Sequence, residues 1–221
     1  MSNRAPQEAA EEFVTALTKA LADYQIPELS AAQRAQLVTH YRMMLVWNRR
    51  TNLTRITEPD EAARLHYADS LAGEGFIGAA RSLLDIGSGA GFPAIPLAVL
   101  RPEVRVTALE ANQKKALFLA EARDALGLAN FEVATARVES FDLSPFELLT
   151  SRALDRAEEI LPEVVERMTA GQRFMLYCTN ELLDKFSARL QAGFTIQAHA
   201  MPQTSSRLIA IFAVSPFGQK Q

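Results

Sequence analysis

The stretch LLDIGSGAGF, residues 83–92, decides the fold, because it is an apolar strand that runs into a glycine-rich turn. A helical stretch follows the turn. Glycines let the backbone adopt positive φ and come close to a ligand, and open α/β sheets bind nucleotides at the carboxyl edge of their strands. The order of strand, turn and helix therefore predicts a nucleotide-like cofactor on a doubly wound α/β fold.

Short β-rich runs alternate with helical stretches from residue 81 onward, which predicts a parallel sheet. The predicted strands are 82–86, 104–109, 131–135, 146–150, 173–178, 194–201 and 207–214. Residues 112–126 form the clearest crossover helix, with Asn112 as its cap and Gly127 at its end. Only 202–206 separate the last two runs, too few residues for a crossover helix, so these strands should pair antiparallel. The sequence predicts seven mostly parallel strands.

The chain before this sheet reads as helices. Apolar residues recur at helical spacing over 13–24 and 37–45, and a third helix is expected to start at a Thr57 cap and to run to about Leu71. We expect residues 1–75 to form a helical extension packed on the core, and residues 76–221 to form the sheet domain.

Composition limits the other possibilities. A chain of 221 residues with 48% hydrophobic content builds one sizeable core, and a net charge of −3 argues against nonspecific polyanion binding while leaving room for a local basic face. Residues 1–12 are polar and acidic, so we expect no signal peptide, no membrane anchor and a cytoplasmic protein. Cys178, the single cysteine, lies in an apolar run and is interpreted as a packing residue.

Two further features narrow the cofactor. Phe92 stands where the dinucleotide fingerprint has its third glycine, which disfavours a pyrophosphate ligand and a nicotinamide-dependent oxidoreductase. Glu110 ends the second strand, where a carboxylate accepts hydrogen bonds from both ribose hydroxyls, of adenosine or of a dinucleotide alike. Arg152 follows the fourth strand, and its position favours contact with cofactor or substrate over a structural ion pair.

Four blocks of the sequence carry a resemblance to a known family. They are Trp47 to Thr54, His66 with Asp69-Ser70, the glycine loop through Pro93, and Ser151-Arg152-Ala153. Together they resemble the RsmG (GidB) small-subunit ribosomal RNA methyltransferases, over about residues 45–213. The resemblance implies a Rossmann-like class I methyltransferase fold and transfer of a methyl group from S-adenosylmethionine to N7 of a guanine in 16S ribosomal RNA.

The resemblance also implies which residues hold the cofactor. Its cofactor positions fall on Gly87, Phe92, Val138, Glu139 and Arg152, with Glu110 as the ribose partner, and we add Gly89 of the same loop. Two residues depart from the family pattern. Val138 replaces the usual alanine, which matters little if the contact is through the backbone, and Ala94 replaces the usual glycine, which restricts the loop slightly.

Methylation at guanine N7 needs no general base, because N7 carries a free lone pair, and we assign neither a general base nor a metal ligand. In A-form RNA the N7 edge faces a narrow groove, so the target should be unpaired. The expected partner is 16S rRNA in the 30S subunit or an assembly intermediate. We expect the protein to act as a monomer and to bind no membrane. The candidate RNA-binding residues are Arg49, Arg50, Arg55, Lys114 and Lys115, the two lysines being equally well explained as a solvated helix face.

Some alternatives stay open from the sequence. A noncatalytic rRNA-binding assembly factor would keep the fold, although the intact loop, Glu110 and Arg152 argue against it. Trp47 and Tyr67 are interpreted as core residues rather than as platforms for a base. His66 and Asp69 receive no assigned role, and packing explains His66 as well as a place at the site does.

Overall fold

A computed structural model describes residues 6–154, 156–190 and 193–214. Helices and a seven-stranded sheet follow one another along the chain. The helices are α1 (Pro6–Asp23), α2 (Ala31–Thr51), α3 (Pro59–Ala62), α4 (Asp69–Leu71), α5 (Glu74–Ile77), α6 (Ala94–Leu100), α7 (Gln113–Leu126), α8 (Ala157–Glu166) and α9 (Asn180–Ser187). The strands are β1 (Ser82–Ile86), β2 (Arg105–Leu109), β3 (Phe131–Ala134), β4 (Leu148–Arg152), β5 (Arg173–Thr179), β6 (Phe194–Ala200) and β7 (Arg207–Val214).

The sheet has the strand order β3-β2-β1-β4-β5-β7-β6. The first five strands pair in parallel, and β7 pairs antiparallel with both β5 and β6. The predicted α/β class, the strand number and the antiparallel end are therefore confirmed. The direction of the crossovers reverses between β1 and β4, and in open sheets this switch point is where ligands bind.

Two hydrophobic layers cover the sheet. All five residues of β1 are buried, as expected for a parallel strand with both faces covered. Leu83 points into the layer formed with α1, α2, α6 and α7, whereas Leu84 points into the layer formed with α8 and α9. Cys178 is buried in the second layer, and burial raises the pKa of its thiol to about 12, in agreement with a packing role.

The helices before the sheet belong to the first of these layers. Phe13 of α1 stacks on Tyr41 of α2 at a centroid distance of 4.2 Å and meets Tyr67 edge-on at 4.8 Å. Such aromatic pairs stabilise by about 1 kcal/mol beyond the area they bury. Ser30 and Gln33 form a capping box at the start of α2. The aromatic contacts fix α1 against α2 and against the segment that carries Tyr67.

Several boundaries differ from the predictions for local reasons. The strand predicted at 146–150 lies at Leu148–Arg152, because the Phe146 amide closes a turn onto the Leu143 carbonyl and Arg152 pairs with β5. Thr57 does not cap the third helical segment, which starts at Pro59 and forms a π-helical turn over Ala63–Ala68. The cap Asn112 and the left-handed Gly127 of α7 are confirmed.

Candidate functional site

A cavity of about 300 Å³ opens at the carboxyl end of β1, β2 and β4. Its walls come from the loop after β1, the ends of β2 and β4, the segment after β3, three residues of the helical part that precedes the sheet, and one residue each of α7 and α8. The residues that line it are Leu53, Thr54, His66, Ile86, Gly87, Ser88, Gly89, Ala90, Phe92, Leu109, Glu110, Ala111, Lys115, Ala136, Arg137, Val138, Glu139, Arg152, Ala153, Leu154 and Ile160. The structure thus brings all seven predicted cofactor residues to one cavity.

The glycine loop forms the floor of this cavity. The amides of Gly87 and Ser88 both donate to the Leu109 carbonyl, at 2.8 and 3.2 Å, which ties the loop to the end of β2. Gly89 has φ +55°, and a Cβ placed on it would meet no atom nearer than the Gly87 carbonyl oxygen at 3.8 Å. The space above Gly89 is therefore free for a ligand to approach the backbone closely.

Glu110 stands beside the loop with its carboxylate already oriented. One carboxylate oxygen accepts from the Gly89 amide at 2.9 Å, and the other accepts from the Asn112 amide at 2.8 Å. The residue is only 8% exposed and lines the cavity. Each carboxylate oxygen has a second lone pair, so the group can accept one further hydrogen bond at each oxygen. This arrangement suits a pair of vicinal hydroxyls.

Val138 and Glu139 occupy a 3₁₀ turn at the next strand end. The Val138 side chain is buried in the second hydrophobic layer, and its carbonyl accepts from Arg167 Nη1 at 2.7 Å. The valine that departs from the family pattern therefore packs into this layer and also lines the cavity. Glu139 is exposed at the cavity wall.

Arg152 lines the cavity, but its hydrogen bonds go to the helical part of the chain. Nη1 donates to the His66 carbonyl at 3.1 Å and to Ser70 Oγ at 3.0 Å, and Nη2 donates to the Leu65 carbonyl. The guanidinium thereby satisfies carbonyl groups of the π-helical turn. The structure shows these contacts of Arg152 with the helical part of the chain. Contact between Arg152 and a cofactor or substrate stays a prediction.

His66 belongs to the cavity wall. Its ring stacks on Phe92 with centroids 4.3 Å apart, and its Nε2 lies 2.8 Å from Thr54 Oγ1. Burial, assisted by the charge of Arg152, lowers the pKa of His66 to about 3, so the ring is neutral at physiological pH. The sequence alone does not assign a role to His66, since a histidine at helical spacing is equally consistent with packing.

Asp69 has a different role from its neighbour His66. Its carboxylate accepts from the Tyr24 hydroxyl at 2.6 Å and forms an ion pair with Arg207. Because Tyr24 follows α1 and Arg207 begins β7, this buried carboxylate ties the first helix to the antiparallel end of the sheet. We assign it a structural role.

Two buried groups beside the loop were not anticipated from the sequence. Both carboxyl oxygens of Asp85, the fourth residue of β1, lack a hydrogen-bond partner in the described part of the chain. Burial raises the pKa of Asp85 to about 7 and outweighs the lowering effects of nearby Ser88, Ala94 and Arg152. His40 of α2 is fully buried and lies 3.0 Å from the Ala90 carbonyl, while the Tyr67 hydroxyl lies 2.8 Å from its other ring nitrogen. For Asp85 the available signal was a polar residue within an apolar run, whereas His40, which Thr39 precedes, stands in no such run.

Exposed basic residues stand near this cavity. Arg49 and Arg50 occupy the last turn of α2, Arg55 follows Thr54, and all three are exposed. Lys114 is exposed at the start of α7, and Lys115 is half-buried and lines the cavity. No ion pair among residues 6–154, 156–190 and 193–214 engages any of the five.

Trp47 and Tyr67 behave as predicted for core residues. Tyr67 is fully buried, and Trp47 is half-buried, packs on Phe118 and donates its indole N–H to Glu121 at 3.1 Å. This contact joins α2 to α7. No helix within the described ranges has the length and apolar character needed to cross a membrane.

Comparison with known proteins gives consistent results. The model of the family described as rRNA small subunit methyltransferase G matches residues 33–205. The ribosomal RNA small subunit methyltransferase G of Pseudomonas putida (strain GB-1) is 39% identical over 173 residues, 77% of this chain and 80% of the relative. The protein of the same name from Pseudomonas aeruginosa (strain LESB58) is 42% identical over 132 residues, and the match spans 59% of this chain but only 62% of that relative.

Solved structures share the fold at low sequence identity. An O-methyltransferase from Bacillus cereus in complex with SAH superposes with a TM-score of 0.58 at 18% identity, covering 93% of this chain and 99% of the other. A ribosomal protein L11 methylase from Lactobacillus delbrueckii subsp. bulgaricus gives 0.53 at 10% identity, covering 69% and 79%. At these identities the likeness establishes the Rossmann-like fold.

Proposed function

Because the chain belongs to the rRNA small subunit methyltransferase G family, we propose that it transfers a methyl group from S-adenosylmethionine to N7 of a guanine in 16S ribosomal RNA. One observation carries the cofactor part of this proposal. Glu110, fixed by the Gly89 and Asn112 amides, turns an oriented carboxylate toward the cavity next to a glycine loop with free space above it. This is the arrangement that a nucleoside with two free ribose hydroxyls requires.

The cavity residues fit the chemical parts of S-adenosylmethionine. Glu110 would accept the ribose hydroxyls, the backbone at Val138 and the side chain of Glu139 would flank the adenine, and the loop from Gly87 would lie under the amino-acid part. The carboxyl group of Asp85, buried just before that loop, is partly ionised near its pKa of about 7, and its negative charge would favour a cationic ligand. When bound, the cofactor supplies an electrophilic methyl group on a sulfonium.

Methylation of guanine N7 requires no proton transfer by the protein before the attack. Guanine N7 attacks through its lone pair, and no proton has to leave beforehand. The chain therefore contributes by holding N7 in line with the methyl group and by excluding water. His66, with its pKa lowered to about 3, contributes no charge at neutral pH, which avoids repulsion of the cationic product.

RNA would approach from the side of the exposed arginines. Arg55 directly follows Thr54 of the cavity wall, and Arg49 and Arg50 end α2 a few positions before it. None of the three carries an ion pair within the described ranges, so their guanidinium groups are available to phosphates. Lys114 and Lys115 extend this basic face to α7. Since the N7 edge is inaccessible in an A-form duplex, we propose an unpaired guanine of the 30S subunit or of an assembly intermediate as the target.

We propose a monomer that acts in the cytoplasm, with residues 1–75 as an extension that supplies Thr54 and His66 to the site, and residues 76–221 as the cofactor-binding domain. An oxidoreductase is not favoured, because the Phe92 ring fills the position of the third glycine by stacking on His66.

The proposal is tested by separating donor from acceptor. Purified protein is titrated with S-adenosylmethionine and with NAD, and we expect binding of the first alone. It is then incubated with methyl-labelled S-adenosylmethionine and 30S subunits, 50S subunits or naked 16S rRNA. Label in 16S RNA of the 30S sample supports the proposal. Label only in ribosomal protein or in 50S RNA would refute it, and donor binding without transfer to any sample would favour the assembly-factor alternative.

A further inference from the structure

The hydroxyl oxygen of Thr54 has two hydrogen-bond partners within the protein. Thr54 Oγ1 accepts from the Ile56 amide at 3.1 Å and lies 2.8 Å from Nε2 of His66. A hydroxyl oxygen has two lone pairs and one proton. If His66 donates to it, both lone pairs are in use, and the hydroxyl proton is left for a third partner.

The surroundings of His66 indicate that it is the donor. The other ring nitrogen, Nδ1, lies 3.3 Å from Arg152 Nη2, a group that only donates. The ring is neutral, because burial and the neighbouring guanidinium lower its pKa to about 3. A neutral ring that presents a lone pair at Nδ1 carries its proton on Nε2. The Nε2–H group therefore donates to Thr54 Oγ1.

The backbone of Thr54 is held rigidly, which gives its hydroxyl a fixed direction. Asn48 clamps it with two hydrogen bonds, from Asn48 Nδ2 to the Thr54 carbonyl at 2.8 Å and from the Thr54 amide to Asn48 Oδ1 at 2.9 Å. Within the described part of the chain the Thr54 hydroxyl has no acceptor for its own proton. Thr54 is half-buried and lines the cavity, so that proton is available to a ligand.

Thr54 lies at the acceptor end of the cavity. A nucleoside held by Glu110 and Glu139 occupies the ends of β2 and the segment after β3, and the rest of the cavity extends past the glycine loop to β4. There the wall is formed by Thr54, His66 and Arg152. A base that presents its N7 edge to this region also presents the substituent on C6, because N7 and C6 lie on the same edge of a purine.

We propose that Thr54 determines base specificity, by donating its hydroxyl proton to O6 of the target guanine. This inference rests on the proposed function. Guanine offers O6 as an acceptor beside N7, whereas adenine offers an N6 amino donor there. An adenine would place two donors face to face, and the Thr54 hydroxyl could turn to accept only by giving up its bond from His66 or Ile56. The site therefore selects 6-oxopurines over 6-aminopurines.

The test measures nucleotide binding, independently of turnover. Protein saturated with S-adenosylhomocysteine, which blocks the cofactor end, is titrated with guanosine 5′-monophosphate, 2-aminopurine riboside 5′-monophosphate and adenosine 5′-monophosphate by NMR. 2-Aminopurine keeps N7 and the 2-amino group but lacks O6. We expect the wild-type protein to bind the guanine nucleotide roughly 10-fold more tightly than the other two, the effect of one neutral hydrogen bond.

Variants at Thr54 identify the residue that is responsible. Thr54→Val should weaken guanine binding roughly 10-fold and leave 2-aminopurine binding unchanged, so that the preference disappears. Thr54→Ser should retain the preference, and Thr57→Val, a half-buried threonine of the same segment outside the cavity wall, should match the wild type. If the role of Thr54 were merely structural, Thr54→Val would weaken the binding of all three nucleotides alike.

Other results overturn the proposal. One is an undiminished guanine preference in Thr54→Val, and another is an equal loss of affinity for all three nucleotides in that variant. The third is equal or absent binding of the three nucleotides by the wild-type protein. Methyl transfer to 30S subunits is measured on the same preparations. Methyl transfer without the nucleotide preference would refute the role of Thr54 and leave the proposed function standing. The nucleotide preference without methyl transfer would refute the proposed function and leave guanine recognition by Thr54 standing.

Discussion

Replacing Asp85 by asparagine should stabilise the ligand-free protein at pH 8 much more than at pH 5. The carboxyl group is completely buried in β1, both of its oxygens lack a partner among the described residues, and burial raises its pKa from 3.8 to about 7. The folded state therefore holds this proton more tightly than the unfolded state does. Stability from this group is lost as pH rises from about 4 to about 7.

The size of the effect follows from the two pKa values. At pH 8 the folded protein carries a buried charge that at pH 5 is neutralised by a proton, and the unfolded chain is ionised at both pH values. A group with these pKa values changes the free energy of unfolding by roughly 3 kcal/mol between pH 5 and pH 8. Asp85→Asn removes this dependence, since the amide does not titrate.

Urea unfolding followed by circular dichroism at both pH values measures this difference. Asp184→Asn, at an exposed position in α9, is the matched control and should change the free energy of unfolding equally at pH 5 and pH 8. An Asp85→Asn variant whose stability relative to wild type is the same at pH 5 and pH 8 would show that folding does not raise the pKa of this carboxyl group, and would contradict the prediction.

Three further variants test the cofactor site, the RNA face and the loop. Glu110→Ala should weaken S-adenosylmethionine binding roughly 30-fold or more in calorimetry, because charge-assisted hydrogen bonds to the ribose are lost, while the exposed control Glu163→Ala should not; unchanged affinity refutes the ribose assignment. Arg49→Ala with Arg50→Ala should reduce 30S binding and its salt dependence yet spare cofactor affinity, and normal methylation at several salt concentrations would exclude this face. His40→Phe should cost roughly 1–3 kcal/mol in urea unfolding, because the Ala90 carbonyl loses its buried donor, and an unaltered midpoint would contradict this.

The parts of the fold that sequence predicts well are those fixed by local chemistry. The apolar run, the glycines and the next strand-end carboxylate stand close together in sequence, so strand β1, the loop and Glu110 follow from pattern alone. The antiparallel end follows from the length of 202–206. The start of β4 was misplaced because its apolar run begins in a turn, which only pairing with β5 distinguishes from a strand.

The parts that sequence does not predict depend on contacts between distant segments. His40 lies 50 positions along the chain from Ala90, whose carbonyl it contacts. Arg152 lies 86 positions from His66, to whose carbonyl it donates. The π-helical turn that presents His66 has no recognised sequence signal and depends on that guanidinium. The donor direction of Thr54 emerges only when Asn48, Ile56 and His66 are seen together.

Methyl transfer to guanine N7 in small-subunit RNA is tested by one experiment that identifies the donor, the substrate and the reacting atom together. Methyl-labelled S-adenosylmethionine is incubated with the protein and 30S subunits that lack N7-methylguanosine, and the 16S rRNA is digested to nucleosides. We predict that the label is recovered in N7-methylguanosine and is lost with Glu110→Ala at low cofactor concentration. Label in another nucleoside, or no label despite tight cofactor binding, would contradict methyl transfer to guanine N7.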